Sequence, residues 1–126
     1  MRDEELQQLL NDAANARKQG DIPTSARLYN QAYEALVSEA AEYARNQPEA
    51  VSDEDDVRRV LPAYFAHADA YLKRDKLACT IANNLGVAFA DMGDLINARE
   101  MFVEAIRLTP EGIEYQEPCT NLTNIE

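Results

Sequence analysis

The sequence predicts an all-α fold built from antiparallel helical hairpins. Apolar residues recur at intervals of three and four along most of the chain, which is the period of a helix with one buried face. No alternating β-branched run is long enough to indicate a sheet. Two of the four glycines stand in Gly-Asp pairs, at Gly20-Asp21 and Gly93-Asp94. Such pairs are typical of a tight turn between helices, since glycine ends one helix and aspartate caps the next.

The first predicted hairpin covers residues 6–39. Its first helix runs over residues 3–19, and Pro23 falls in the first turn of the second helix, where a missing N–H costs little. The second helix keeps one apolar stripe until Asn46, so we expect it to be longer than its partner. The stripe residues of the two helices are Leu6, Leu9, Leu10, Ala13 and Ala16, then Ser25, Tyr29, Ala32, Leu36, Ala40 and Tyr43.

The middle of the chain, residues 47–78, follows a different pattern. Residues 47–52 are predicted to form a loop and residues 53–75 to be helical, with Pro62 inside the helical stretch. Because the apolar stripe continues across Pro62, the stretch is either one kinked helix or two short helices that meet there. It contains no Gly-Asp turn. We therefore interpret it as an irregular helical insert, with a third repeat as the alternative.

The last predicted hairpin covers residues 79–112 and has the clearest pattern. Small residues, Gly86 and Ala98, stand where two helix backbones must approach closely, and Phe89 and Phe102 fill the space beside them. Each of the two helices has one apolar stripe. The second helix ends where Pro110 and Gly112 interrupt it. The stripe residues are Ala82, Leu85, Gly86 and Phe89, then Ala98, Phe102, Ala105 and Ile106.

This hairpin resembles a tetratricopeptide repeat. It matches the motif W-x2-L-G-x2-Y…A-x3-F…P from Leu85-Gly86 to Pro110, and only the leading tryptophan is missing. Residues 6–39 resemble a second, degenerate repeat, with Asp12 and Ala16 at the positions of Leu85 and Phe89. The length of 126 residues predicts a single domain, residues 1–126, and the resemblance implies that its hairpins form a right-handed superhelix. The tail, residues 113–126, is either a partial cap, opened by Pro118, or the point where a longer chain is cut.

Charge and composition narrow the class of partner. The net charge of −11 argues against nucleic acid and against an anionic membrane surface, because both would repel the chain. No apolar run approaches the length of a membrane span, and the N-terminal residues are charged, unlike a signal sequence. We therefore expect a soluble, cytoplasmic protein. Cys79 and Cys119 fit neither a metal-binding spacing nor a disulfide framework.

Residues for catalysis are scarce. His67 is the single histidine, and no motif places an acid or a nucleophile beside it. The acidic run Asp53-Glu54-Asp55-Asp56 is consecutive, so its carboxylates would spread around a helix rather than converge on a metal. Glycine-rich phosphate loops are absent. We predict no enzyme, no cofactor and no metal.

The resemblance also implies where a partner would bind. In tetratricopeptide proteins the first helix of each pair lines a concave groove that receives a peptide or a helix of another protein. We therefore expect a protein-interaction scaffold or adaptor, with a protein or peptide as its partner. The residues on the corresponding faces are Leu10, Ala14 and Arg17 in the first hairpin, and Thr80, Asn83, Asn84, Val87 and Asp91 in the last.

Two alternatives remain open at this point. Helix faces left uncovered by an incomplete repeat array would form a dimer interface, which makes the chain a structural self-association module. An apolar pocket between the middle helix and the last hairpin would instead make it a small-ligand-binding regulatory domain.

Overall fold

The computed structural model describes residues 2–47 and 57–126, and this part of the chain contains six helices and no strand. The predicted all-α class is therefore confirmed. The helices are α1 (Arg2–Lys18), α2 (Ile22–Arg45), α3 (Val57–Leu72), α4 (Leu77–Asp91), α5 (Leu95–Arg107) and α6 (Glu117–Ile125).

Both Gly-Asp pairs form the same turn. The glycine takes the left-handed conformation in each, with φ of 82° at Gly20 and 80° at Gly93. The N–H of the following aspartate donates to the carbonyl five residues earlier, at 2.9 Å in both turns. Its carboxylate accepts the N–H three residues later, at 3.3 Å for Asp21 and 3.2 Å for Asp94. The turns predicted from the Gly-Asp pairs are confirmed, and they produce the hairpins α1–α2 and α4–α5.

Helix α2 is the centre of the packing, because it contacts α1, α3 and α4. Its middle turns are fully buried at Ala32, Leu36 and Ala40. The two hairpins are thus direct neighbours in space, although α3 separates them in the sequence. One core cluster joins α1, α2 and α4 through Ala13, Ala26, Tyr29, Leu85 and Ala88. The other extends to α3 and to the end of α5, through Leu6, Ala32, Leu36, Ala40, Leu72, Ala78, Cys79, Ile81 and Leu108.

The predicted stripe of α2 is wrong at its last position. Ala44 is fully buried there, whereas Tyr43 is 40% exposed. The buried positions at this end follow intervals of four, from Leu36 to Ala40 to Ala44, so the buried face moves away from the ideal stripe of 3.6 residues per turn that contains Tyr43. The Tyr43 ring lies at the surface of α3 instead, with its centroid 5.1 Å from that of Tyr71.

Helix α3 continues through Pro62, which agrees with the single-helix interpretation of the middle segment, but it ends at Leu72 rather than at residue 75. It packs on α2 and only weakly on α4. The predicted loop over residues 47–52 and the acidic run at residues 53–56 fall almost wholly outside the described residues.

The tail forms a helix of its own. Pro118 lies in the first turn of α6, as its fixed backbone angle favours, and is fully buried. Helix α6 packs mainly on α5 and also contacts α4. It therefore covers apolar surface of the last hairpin, as a capping helix would.

The closest approach between α4 and α5 is at Gly86. A Cβ atom placed on this glycine would lie 2.6 and 2.7 Å from two ring atoms of Phe102, which is itself buried. Helix α4 therefore requires glycine at this position for packing, which agrees with the close approach predicted there.

We expect Gly86→Ala to lower the free energy of unfolding. The added methyl group overpacks against Phe102 at a cost of about 1–3 kcal/mol, which exceeds the roughly 1 kcal/mol that alanine contributes inside a helix. Urea unfolding followed by circular dichroism measures the change. In a Phe102→Leu background the same substitution should cost less, because the ring atoms it meets are gone. A Gly86→Ala protein as stable as the wild type would show that the ring can move aside.

Candidate functional site

One surface depression lies between the end of α1, the middle of α4 and the start of α6. Its volume is about 300 Å³. It lies on the face of α4 that the sequence nominated for binding. The lining residues are Arg17, Asn83, Asn84, Val87, Gln116, Glu117, Thr120 and Asn121.

Asn84 and Val87 form one wall of this depression. They are three residues apart on α4, so their side chains are neighbours on one helix face. Both are half-buried, and the Asn84 amide makes no hydrogen bond with any described residue. At the rim, Arg17 Nη2 lies 3.1 Å from Asp91 Oδ2, which joins the end of α1 to the end of α4. The wall therefore offers an unused amide beside an apolar contact.

The C-terminal tail, α6 with the residues just before it, contacts two other predicted site residues, Asn83 and Thr80. Asn121 Nδ2 donates to Asn83 Oδ1 at 3.0 Å, and Asn83 is only 2% exposed. Tyr115, just before α6, lies against Asn83 and Thr80, and burial raises its pKa. The expectation that Asn83 and Thr80 face an open groove is corrected accordingly. The tail occupies their side of α4, so a partner reaches Asn83 at most along the edge of the depression.

The three predicted binding residues of α1 do not lie on one common surface. Leu10 is partly buried and packs against both core clusters, so it does not lie on an open groove face as expected. Ala14 lines a neighbouring depression of about 440 Å³ together with Arg17, Lys18 and Tyr29. Arg17 thus stands between the two depressions and lines both.

A further depression, of about 360 Å³, lies between α2, α3 and α5, and we call it the α3 groove. The sequence suggested a pocket in this region only as an alternative and named no residue of it. Most of its wall is apolar, and its polar residues are concentrated where α5 closes it. The lining residues are Tyr33, Val37, Ala40, Ala41, Tyr64, Phe65, Ala68, Asp69, Leu72, Glu104 and Arg107.

The polar end of the α3 groove is a hydrogen-bonded network. Glu104 accepts from the Tyr33 hydroxyl at 2.9 Å and from Arg107 Nε and Nη2 at 2.7 and 2.9 Å. Arg107 Nη1 lies 2.8 Å from Asp69 Oδ1. The Arg107 hydrogen bonds lower the pKa of Glu104, while burial and the bond to Glu104 raise the pKa of Tyr33. Three helices are joined by this network, which no local sequence pattern indicates.

Within the described residues, no group of three or more His, Cys, Asp or Glu side chains is placed to hold a metal ion. The His67 ring packs against the Tyr43 ring, edge to face, with centroids 6.4 Å apart. No described helix combines the length and the apolar character that a membrane crossing requires.

We expect Glu104→Gln to lower the free energy of unfolding at neutral pH by about 1 kcal/mol, the upper range for a partly exposed ion pair. Since the folded-state pKa of Glu104 is lowered, its stabilisation is present above the ordinary glutamate pKa of about 4.3. It is lost as the pH falls through the folded-state pKa. The difference in the free energy of unfolding between the two proteins should therefore shrink from about pH 5 to about pH 3.

Urea titrations at several pH values measure this difference. The exposed Glu100, on the same helix and without a described partner, provides the matched control. Glu100→Gln should show little effect at any pH. If Glu104→Gln lowers the free energy of unfolding equally at pH 7 and pH 3, the stabilisation does not come from the charge of Glu104.

No protein-family model, no curated protein and no solved structure matches this chain. The resemblance to tetratricopeptide repeats therefore depends on the motif residues alone. The depression walled by Asn84 and Val87 and the α3 groove are candidate sites on physical grounds.

Proposed function

We propose that this protein is a non-catalytic adaptor of the tetratricopeptide type, which binds a segment of a partner protein between α1, α4 and α6. The observation that carries the proposal is the Asn84 amide beside Val87 in that depression, since this amide makes no hydrogen bond within the described part of the chain. A side-chain amide offers two donors and an acceptor, which match the N–H and C=O groups of an extended peptide. Val87 adds an apolar contact for one peptide side chain.

Arg17 supports a peptide ligand from the rim. Its ion pair with Asp91 is exposed to water, and exposed pairs contribute at most about 1 kcal/mol. A carboxylate of a bound peptide can therefore replace Asp91 at little cost. Arg17 lines both neighbouring depressions, so a peptide longer than one depression would cross it.

The arrangement of the hairpins supports the same class of function. The identical turns and the direct contact of α2 with α4 place two hairpins side by side, as consecutive repeats are placed in that family. Helix α4 is the first helix of its hairpin, the one that lines the groove in tetratricopeptide proteins. A right-handed superhelix and a cytoplasmic location belong to this proposal as well.

Self-association is a second candidate, favoured by the outer face of α5. Ile96 is 77% exposed, and Leu95 and Val103 on the same helix are also exposed. Apolar side chains concentrated on one helix are a possible dimer interface. Sedimentation equilibrium of the wild type and of Ile96→Ser over a range of concentrations tests this candidate, which requires a dimer that the substitution weakens.

To test the adaptor function, peptides are selected from a phage-displayed random library on the wild type. We expect them to bind the Asn84→Lys and Val87→Lys variants at least about tenfold more weakly than the wild type, equal to roughly 1.4 kcal/mol. The long charged side chain would fill the depression and remove the contact made there. Fluorescence anisotropy with the selected peptides measures the affinities.

Gln31→Lys is the matched control, because Gln31 is exposed on α2 and lines neither depression. It adds the same charge and should leave affinity unchanged. Circular dichroism must show the same helix content in all three variants. Peptides that bind the Asn84 and Val87 variants as tightly as the wild type would exclude this depression as the site.

A further inference from the structure

We propose that the α3 groove is a second docking site, which receives an amphipathic helix of a partner protein with a lysine or arginine beside its apolar stripe. This site goes beyond the proposed adaptor function. The α3 groove shares no lining residue with the depression at Asn84 and Val87.

The walls of the groove are two rows of apolar side chains at helical spacing. On α2 the row is Tyr33, Val37, Ala40 and Ala41, and on α3 it is Tyr64, Phe65, Ala68 and Leu72. Each row spans nine residues, or roughly 12 Å for eight steps of about 1.5 Å. This length accommodates about two turns of a partner helix, whose anchor side chains recur at i, i+3 or i+4, and i+7.

The rim of the groove is apolar and faces water. Phe65 is 59% exposed and Val37 is 40% exposed, on opposite sides of the groove. A small ligand in the depression would leave both uncovered, whereas tight small-molecule sites bury about 70–90% of the ligand in an enclosed pocket. A helix laid across the opening would cover both rims. The shape therefore favours a helix over a small molecule.

The charge at the closed end of the groove favours a positively charged residue on the partner. Asp69 and Glu104 contribute two carboxylates, and Arg107 contributes one guanidinium group. Both oxygens of Glu104 accept hydrogen bonds, but Asp69 Oδ2 accepts none from the described residues. Lys73 lies one turn beyond Asp69 without lining the groove. The remaining negative charge and the open acceptor both fit a lysine or arginine of the incoming helix.

The test is selection from a phage-displayed library of amphipathic helices of about 18 residues, or five turns. Leucines are fixed at i, i+3, i+4 and i+7, and the flanking positions are varied among lysine, arginine, glutamine and glutamate. We expect selected helices to carry lysine or arginine at one flanking position. Replacing that residue by glutamine should weaken binding to the wild type by about fivefold, as expected for a partly exposed charge pair.

Two substitutions in the groove separate shape from charge. Phe65→Ser should weaken binding at least about tenfold, because it removes the largest exposed rim contact. Asp69→Asn keeps the shape and should abolish the preference for lysine over glutamine in the peptide. Phe65 is mostly exposed, so the fold should persist, and circular dichroism verifies it.

The controls lie on other surfaces. Ile96→Ser removes a more exposed apolar side chain from α5 and should leave affinity unchanged, and so should Val87→Lys in the other depression. Binding that survives Phe65→Ser, or a lysine preference that survives Asp69→Asn, would overturn the proposal. So would a dimer in sedimentation equilibrium that Phe65→Ser dissociates, since a second copy of the chain would then occupy the groove. Val87→Lys tests only the depression at Asn84 and Val87. A negative result at one site therefore does not contradict the proposal for the other.

Discussion

The burial of one face of α2 is the constraint on which the rest of the structure depends. Ala32, Leu36 and Ala40 are at most 1% exposed, and the helix that carries them contacts α1, α3 and α4. Burial of this stripe supplies a hydrophobic driving force for bringing the other three helices together. Alanines let helix axes approach closely, so a single helix can accommodate several neighbours. Both candidate sites lie beside this packing.

Helix α3 creates the second candidate site, the α3 groove. A plain pair of hairpins would leave the far side of α2 open to water, and α3 covers only part of it. The network of Tyr33, Glu104 and Arg107 with Asp69 attaches α3 to α5 at one end. A partly buried network of this kind fixes the position of α3 more by geometry than by net energy, because burial of its charges offsets much of their attraction. The apolar groove is what remains uncovered between the helices.

The tail changes the first candidate site. Without α6, the face of α4 from Thr80 to Asp91 would be continuous, as the resemblance to tetratricopeptide repeats implies. Asn121 and Tyr115 instead contact the buried part of this face, so Asn84 and Val87 are left as the accessible wall. A site bounded by α6 is shorter than a full groove along α4 would be.

The sequence by itself determined the elements that depend on local chemistry. Helical periodicity specified the α class, and the Gly-Asp pairs specified both turns, since glycine tolerates positive φ and aspartate caps the following N–H groups. Close packing at Gly86 followed from a small residue opposite a ring. The resemblance to tetratricopeptide repeats nominated one face on each of two helices, and Arg17, Asn84 and Val87 from those faces line one depression.

Only the tertiary structure decided which faces stay open. The burial of Asn83 depends on α6, from a tail 38 residues further along the chain, and the position of Leu10 depends on two clusters from several helices. The α3 groove combines α2, α3 and α5, which are brought together by contacts between residues as far apart as Tyr33 and Glu104, 71 positions. Helical periodicity describes one element at a time, and it carries no information on which distant helix covers a given face. That choice is made by the packing of the whole chain around α2.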